Sequence, residues 1–219
     1  MQDANSATPK VETISPQEPE EAILRAAAAC FSDRGFSATS VDEVARRMGY
    51  TKGRIYHYFR SKGELFIATA SFGLDRLIEE VDAAMKMHGS AQQRLAAMSR
   101  AHVLTQIRDL SFHRVLLQGV TMVVRGATTP DERDLLDKLL SRQRAYEGIF
   151  RAVIREGVEA GTFRSGNLTL MTKTLLLSLN GACFWYSERE NQGEEDLSMI
   201  ADHLVGQALF GLGEKIDGF

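Results

Sequence analysis

Residues 41–66 read VDEVARRMGYTKGRIYHYFRSKGELF, and local signals divide this stretch into two short helices joined by a glycine turn. Ser40 before Val41, with Glu43 three positions on, forms a capping box, in which hydroxyl and carboxylate each satisfy a backbone N–H that the first helical turn leaves unpaired. A helix therefore starts at Val41. Val41, Val44, Ala45 and Met48 recur at helical spacing and are expected to face a core. Gly49 ends that helix, since a residue without a Cβ enters the left-handed region cheaply. Thr51 stands where it can cap the next helix, which opens with Lys52, Gly53 and Arg54 and continues through Ile55, Tyr56, His57, Tyr58 and Phe59. Ser61 with Glu64 is a further capping box and opens the helix after that.

Charge follows the same boundaries. Between positions 46 and 62 the ionic residues are Arg46, Arg47, Lys52, Arg54, Arg60 and Lys62, without one Asp or Glu, although the whole chain is net −3. A solvated helix face ordinarily mixes both signs. A one-sign patch on an acidic chain is instead the footprint expected for a polyanion, whose condensed counterions lysine and arginine release. Helix, tight turn and helix, with basic and small residues leading the second, is helix-turn-helix geometry. Its leading end meets base edges in the major groove while flanking groups hold phosphates. The expected DNA contacts are Ser40, Arg46, Thr51, Lys52, Gly53, Arg54, Tyr56, His57 and Lys62. Arg54 suits bidentate reading of guanine and Lys52 a base or phosphate, while Tyr56 and His57 suit phosphates or thymine methyls. Gly53 lets the helix start approach the DNA backbone, and Lys62 is expected on a phosphate at the groove edge. Ile55 and Phe59 anchor the helix to the core. Tyr58 fits core packing and DNA contact equally.

These residues resemble the TetR family of transcriptional regulators. The likeness is carried by EEAILRAAAACFSDRGFSATSVDEVARRMG (20–49), GYTKGRIYHYF (49–59) and RSKGELF (60–66), and it extends over about residues 17–77. Tyr50 departs from it, where the family more often has a small aliphatic residue. The resemblance implies a homodimer, with the last two helices of each copy forming a four-helix interface, and a body that binds a small hydrophobic effector. Symmetric heads reading successive grooves of a palindromic, double-stranded operator supply an independent motive for dimerisation. LLLSLNGACFWYSERENQG (175–193) resembles a C-terminal subgroup responsive to acyl-CoA thioesters. Asn180, Trp185 and Tyr186 match that subgroup, whereas Gly181 and Phe184 do not.

Periodicity gives an all-α fold, with an N-terminal three-helix helix-turn-helix head followed by a helical body, which the resemblance implies is a ligand-binding and dimerisation body. The expected divisions are a disordered tail over 1–15, a DNA-binding domain over 16–62 and the body over 63–219. The first helix is expected to start at residues 15–18, where a cap, a proline and a glutamate coincide, and to end at Gly35, burying Ile23, Ala27, Cys30 and Phe31. Helices then follow over 61–88, 90–109 and 110–125, a loop over 126–130, a long helix to Ala160, an apolar helix over 167–187 and a last one over 194–210. The 167–187 segment is apolar nearly all round, which implies burial on every face, much of it against another chain.

At 219 residues with 44% hydrophobic content, the chain can bury a substantial core. Two cysteines, Cys30 and Cys183, sit in apolar helical patterns and read as buried, reduced thiols, so a cytoplasmic location is expected. The first fifteen residues are polar and lack an apolar run, so they are not expected to act as a signal peptide. Positions 174–186 are too short to span a bilayer, so no membrane contact is expected. Polar side chains set in apolar helices, namely His102, Gln106, His113, Gln118, Tyr146, Asn180 and Trp185, are candidates for a ligand cavity. Arg142, Arg144, Arg151 and Arg155 are candidates for coenzyme phosphates, though such spacing is commoner on a solvated face. The five histidines include no metal-ligand pair, the Met85, Met87 and His88 cluster reads as a core stripe, and residues 211–215 read as a frayed end. No cofactor, metal or enzymatic activity is expected. The combination describes a repressor released from DNA by its effector. The alternative is a ligand-independent DNA-organising or partner-binding protein with a collapsed body.

Overall fold

A computed structural model of the chain describes residues 19–125, 129–189 and 191–213, and among them every regular element is helical. The head consists of α1 (Pro19–Ala38), α2 (Val41–Arg47) and α3 (Lys52–Tyr58). Helix α4 (Lys62–Met85) leads into a body of α5 (Ala91–Arg108), α6 (Leu110–Arg125), α7 (Pro130–Glu159), α8 (Leu168–Leu179), α9 (Ala182–Trp185) and α10 (Glu194–Gly213). The tail over 1–15 and the helix start at 15–18 lie outside the described residues.

Helix ends fall where capping chemistry places them. Gly35 breaks the regular path of α1 with φ 77°, and the buried Thr39 hydroxyl donates to the carbonyls of Cys30 and Gly35 at 3.0 and 2.9 Å. Ser90 and Thr129 open α5 and α7 through complete capping boxes with Gln93 and Glu132. Ser40 completes only half of its expected box: its hydroxyl accepts from the Glu43 amide at 3.2 Å, while the Glu43 carboxylate pairs with Arg34 at 2.8 Å.

Phe31, Phe36 and Phe66 join the head to α4. The Phe66 ring meets the other two edge-on at centroid separations of 5.1 and 5.2 Å. Such contacts contribute about 0.5–1.5 kcal/mol each beyond area burial. A close α4–α6 crossing depends on Gly73, where a Cβ would stand 3.0 Å from the Phe112 Cβ. Head and body are thus continuous through α4, with α6 packed beside it.

Two expectations for the C-terminal third are corrected. The apolar segment is not one helix, being interrupted at Asn180 and Gly181, which divide α8 from α9; within the single chain Leu175, Leu176 and Leu179 face inward, whereas Leu177 and Phe184 are 69% and 73% exposed. Nor do residues 211–213 fray. They extend α10, Leu212 is buried, and its carbonyl accepts from the Arg164 amide at 2.9 Å.

Candidate functional site

The turn between α2 and α3 is closed by backbone geometry. Gly49 adopts φ 67°, its amide donates to the Arg46 carbonyl at 3.1 Å, and the Tyr50 amide reaches back to the Ala45 carbonyl at 2.8 Å. This is the closure that a left-handed residue permits at a helix end. Thr51 then takes the extended conformation of an N-cap, but its side chain makes no capping hydrogen bond, which corrects that part of its expected role.

Helix α3 buries one residue, Ile55, and Phe59 anchors the chain directly after it. Lys52, Gly53, Arg54, Tyr56, His57 and Tyr58 are all exposed, as are Ser40 and Arg46 beside them. A Cβ at Gly53 would meet nothing within 4 Å. Glycine in a helix costs about 1 kcal/mol relative to alanine, and no neighbour among the described residues requires it there.

The cations are held in place by specific neighbours. Lys52 Nζ lies 2.8 Å from Asp42 Oδ2, and this hydrogen bond raises the lysine pKa above its ordinary value. The Arg54 guanidinium lies over the Tyr50 ring, and Lys52 stands near the Tyr56 ring. Lys62 is directed inward. Its ammonium donates to the carbonyls of Phe36 and Thr39 at 2.9 and 3.1 Å and sits 4.3 Å from the Phe36 ring centroid. Lys62 therefore ties the end of α1 to the start of α4, a role its sequence position did not suggest. Tyr58, for which sequence left two readings open, is exposed and meets the His57 ring edge-on at 5.3 Å.

A second candidate site lies within the body. His102 and Gln106 from α5, His113 from α6, Tyr146 from α7 and Asn180 after α8 converge on a cavity of about 50 Å³, walled by Leu74, Leu77, Leu116 and Leu176. Four of these polar groups form one network. Tyr146 Oη lies 2.7 Å from His102 Nδ1, His102 Nε2 lies 3.2 Å from Asn180 Oδ1, and Gln106 Nε2 also donates to Asn180 Oδ1. Because the Asn180 oxygen can only accept, His102 carries its proton on Nε2 and Tyr146 donates to Nδ1. Burial lowers the His102 pKa to about 4, so the ring is neutral at pH 7.

Two of the seven cavity candidates lie elsewhere. Gln118 bonds the Phe31 carbonyl at 3.3 Å and so links α6 to the head. Trp185 is 56% exposed, on the surface beside Met199 and His203. Among the described residues no cluster of three or more His, Cys, Asp or Glu could hold a metal ion, and no helix is long and apolar enough to cross a membrane.

Positions 23–69 match the family model described as bacterial regulatory proteins, tetR family, and positions 88–212 match the tetracyclin repressor-like C-terminal domain. The second match alone covers more than half of the chain. This chain belongs to the TetR family. Among similar proteins is the HTH-type transcriptional activator FasR of Mycolicibacterium smegmatis, 30% identical over 145 residues, a stretch covering 63% of this chain and 66% of that one. Among solved structures, the TetR-family regulator PfmR from Thermus thermophilus aligns with a TM-score of 0.70 at 27% identity, covering 89% of this chain and 99% of that one. AibR, solved in complex with isovaleryl coenzyme A and operator DNA, aligns with a TM-score of 0.69 at 24% identity over 86% and 96% of the two chains, a likeness of fold.

As a TetR-family transcriptional regulator, the chain carries its helix-turn-helix on α2 and α3. Sequence reading missed the residues that orient that unit. The spacing of Tyr50 and Arg54 offered a signal for one contact. Asp42 and Lys52, ten positions apart on different helices, offered none. In the body, Gln143 and Glu147 also line the cavity, and as polar residues on a long charged helix they were indistinguishable from surface groups.

Proposed function

We propose that the chain acts as a homodimeric, operator-binding repressor whose DNA affinity is lowered by a small, mostly apolar effector in the body cavity, with no catalytic step. The observation that carries the reading is the exposed start of α3. A glycine without an internal reason stands between two held cations, on a helix that buries a single side chain. In this reading Lys52, Arg54, Tyr56 and His57 face the groove, and Ser40, Arg46 and Thr51 flank it. Lys62 contributes by fixing the head and by adding positive charge near a phosphate.

Dimerisation is supported by the apolar surface of α8, α9 and α10, where Leu170, Leu177, Phe184, Trp185, Met199 and Phe210 are all exposed. An apolar surface of this kind on a folded chain marks an interaction site. The effector reading is supported by the cavity beside α4, the helix that connects body to head. A ligand that prefers one α4 position shifts the spacing of the two heads, whereas equal affinity for both positions shifts nothing. AibR's isovaleryl coenzyme A motivates the thioester version of this reading. Among the described residues no lysine or arginine lines the cavity, so coenzyme phosphates would have to lie outside it. Arg142, for its part, pairs with Asp75 of α4.

The test is selection of genomic DNA by the purified chain, followed by salt titration of the fragments retained. A palindromic site whose log K falls steeply with log salt is expected, because phosphate contacts release counterions. Failure to retain any sequence preferentially at modest ionic strength would overturn the reading. Replacing Leu177 and Phe184 by aspartate is expected to yield monomers in sedimentation and to weaken operator binding.

A further inference from the structure

His113 is the group in the body that packing alone does not explain. Its ring is 1% exposed and lines the cavity, yet neither Nδ1 nor Nε2 has a hydrogen-bond partner among the described residues. The Thr105 carbonyl acts on it weakly, outside hydrogen-bond geometry. Gln106 Oε1 is also buried and unpaired among the described residues, while the amide nitrogen of the same side chain is committed to Asn180. A buried polar group left unpaired is expensive, so native structures seldom keep one without a reason. Here a neutral imidazole offers one donor and one acceptor, and an amide oxygen offers one acceptor, all at one cavity with leucine walls.

The charge around this cavity is equally selective. Among the described residues no cation lines it, and its one ionic residue is Glu147, which pairs with Lys173 at 3.9 Å. Burial, followed by repulsion from His102 and Arg76, lowers the His113 pKa to about 3, so neither histidine supplies positive charge at pH 7. An anionic head group would be desolvated here without a counter-charge.

We infer that the cavity takes the hydroxymethyl end of a small uncharged effector, whose one hydroxyl group donates and accepts at His113 and Gln106; about 50 Å³ holds that end and not a whole ring. The inference rests on the effector reading above and narrows it to a ligand class. The hydroxyl hydrogen goes to Gln106 Oε1 or to the unprotonated ring nitrogen, and the hydroxyl oxygen accepts from the ring N–H. The leucines of α4, α6 and α8 pack against the carbon that carries the hydroxyl. Carboxylates are rejected for want of a cation, and plain hydrocarbons leave the polar wall unpaired.

Calorimetric titration of the full chain with benzyl alcohol, toluene, benzoate and isovaleryl coenzyme A tests this. Benzyl alcohol is expected to bind at least about tenfold more tightly than toluene, because a site built to hydrogen-bond a hydroxyl rejects the analogue that lacks it. Benzoate and the thioester are expected to bind more weakly still. In His113→Leu the preference for the alcohol over toluene should vanish. This variant should keep or raise the melting temperature, since it removes an unpaired buried polar group. Should it fail to fold, Gln106→Met, which retains volume and removes the Oε1 acceptor together with the Nε2 bond to Asn180, is expected to reduce the same preference.

Tighter binding of benzoate or of the thioester, survival of the alcohol preference in both variants, or failure of every probe to bind would each overturn the inference. DNA selection is measured independently. A chain that selects DNA and fails the panel loses only the ligand class, and one that binds benzyl alcohol but selects no DNA loses the regulator reading.

Discussion

The Arg54 guanidinium lies over the Tyr50 ring, with Cζ 4.1 Å from the ring centroid. At an exposed site such a contact contributes about 0.5–1 kcal/mol, less than the roughly 1–3 kcal/mol that a bidentate arginine–guanine pair gives in discrimination. Tyr50 can therefore hold the arginine near its reading position and still release it to a base. Arg54→Ala is expected to lose on the order of 1–3 kcal/mol of discrimination at one base pair. Tyr50→Leu should keep the fold and weaken operator binding only several-fold. If Tyr50 acts through Arg54, the double variant binds no more weakly than Arg54→Ala. Titration of the selected site and its single-base variants measures this, and additive losses would show that Tyr50 touches DNA on its own account.

Lys62 and Arg46 separate two ways in which a cation can affect DNA binding. Lys62 donates to two backbone carbonyls and stacks on Phe36, so Lys62→Ala should destabilise the chain by about 1–2 kcal/mol as well as weaken binding to every sequence. Arg46 is exposed at the end of α2. Arg46→Ala should leave stability unchanged and reduce the salt slope by about one. Denaturant midpoints compared with binding isotherms distinguish the two. Unchanged stability in Lys62→Ala would remove the structural role assigned to that ammonium.

Most of the fold was legible because its determinants are local. Ser40, Gly49, Ser90 and Gly161 act within one turn of their own positions, and the helix boundaries they imply lie within a few residues of those found. The site was legible to the extent that exposure follows from the burial of neighbours: Ile55 and Phe59 turn the intervening side chains of α3 outward. What escaped is long-range. Gln118 reaches Phe31 across 87 positions, and Lys62 reaches Phe36 across 26. The division of α8 from α9 also escaped, because the apolar pattern runs through Asn180 and Gly181 without a strong stop signal. Trp185 was misplaced because an apolar run does not say which of its aromatic side chains faces inward.

The two cavity histidines set an acid limit on stability. Burial holds His102 near a pKa of about 4 and His113 near about 3, below the ordinary value of 6.5. As pH falls below 6.5 the unfolded chain takes up protons that the folded chain refuses, so stability is complete above that value and declines toward pH 4 and then 3. Each residue contributes a slope of about 1.4 kcal/mol per pH unit, or on the order of 2 kcal/mol by pH 5. Denaturant unfolding of wild type and His113→Leu at about pH 7.5 and about pH 5 is expected to show a smaller acid loss in the variant. Equal losses would mean that His113 titrates alike in both states.

Helix α7 contains two glycines that should respond in opposite directions to the same substitution. At Gly157 a Cβ would lie 2.2 and 2.4 Å from the Cδ2 and Cε2 atoms of Phe163, whose ring is 5% exposed and packed under the helix end. That ring is not a flexible tip. It would have to leave its site, so Gly157→Ala is expected to cost about 2–4 kcal/mol through overpacking and lost burial. At Gly148 a Cβ meets nothing within 4 Å. Gly148→Ala should instead gain up to about 1 kcal/mol, since alanine loses less backbone entropy in a helix. Thermal melts of the two variants supply the measurement. A Gly157→Ala chain as stable as wild type would require Phe163 to have a second packed position, and a destabilised Gly148→Ala would place another surface against that side of α7.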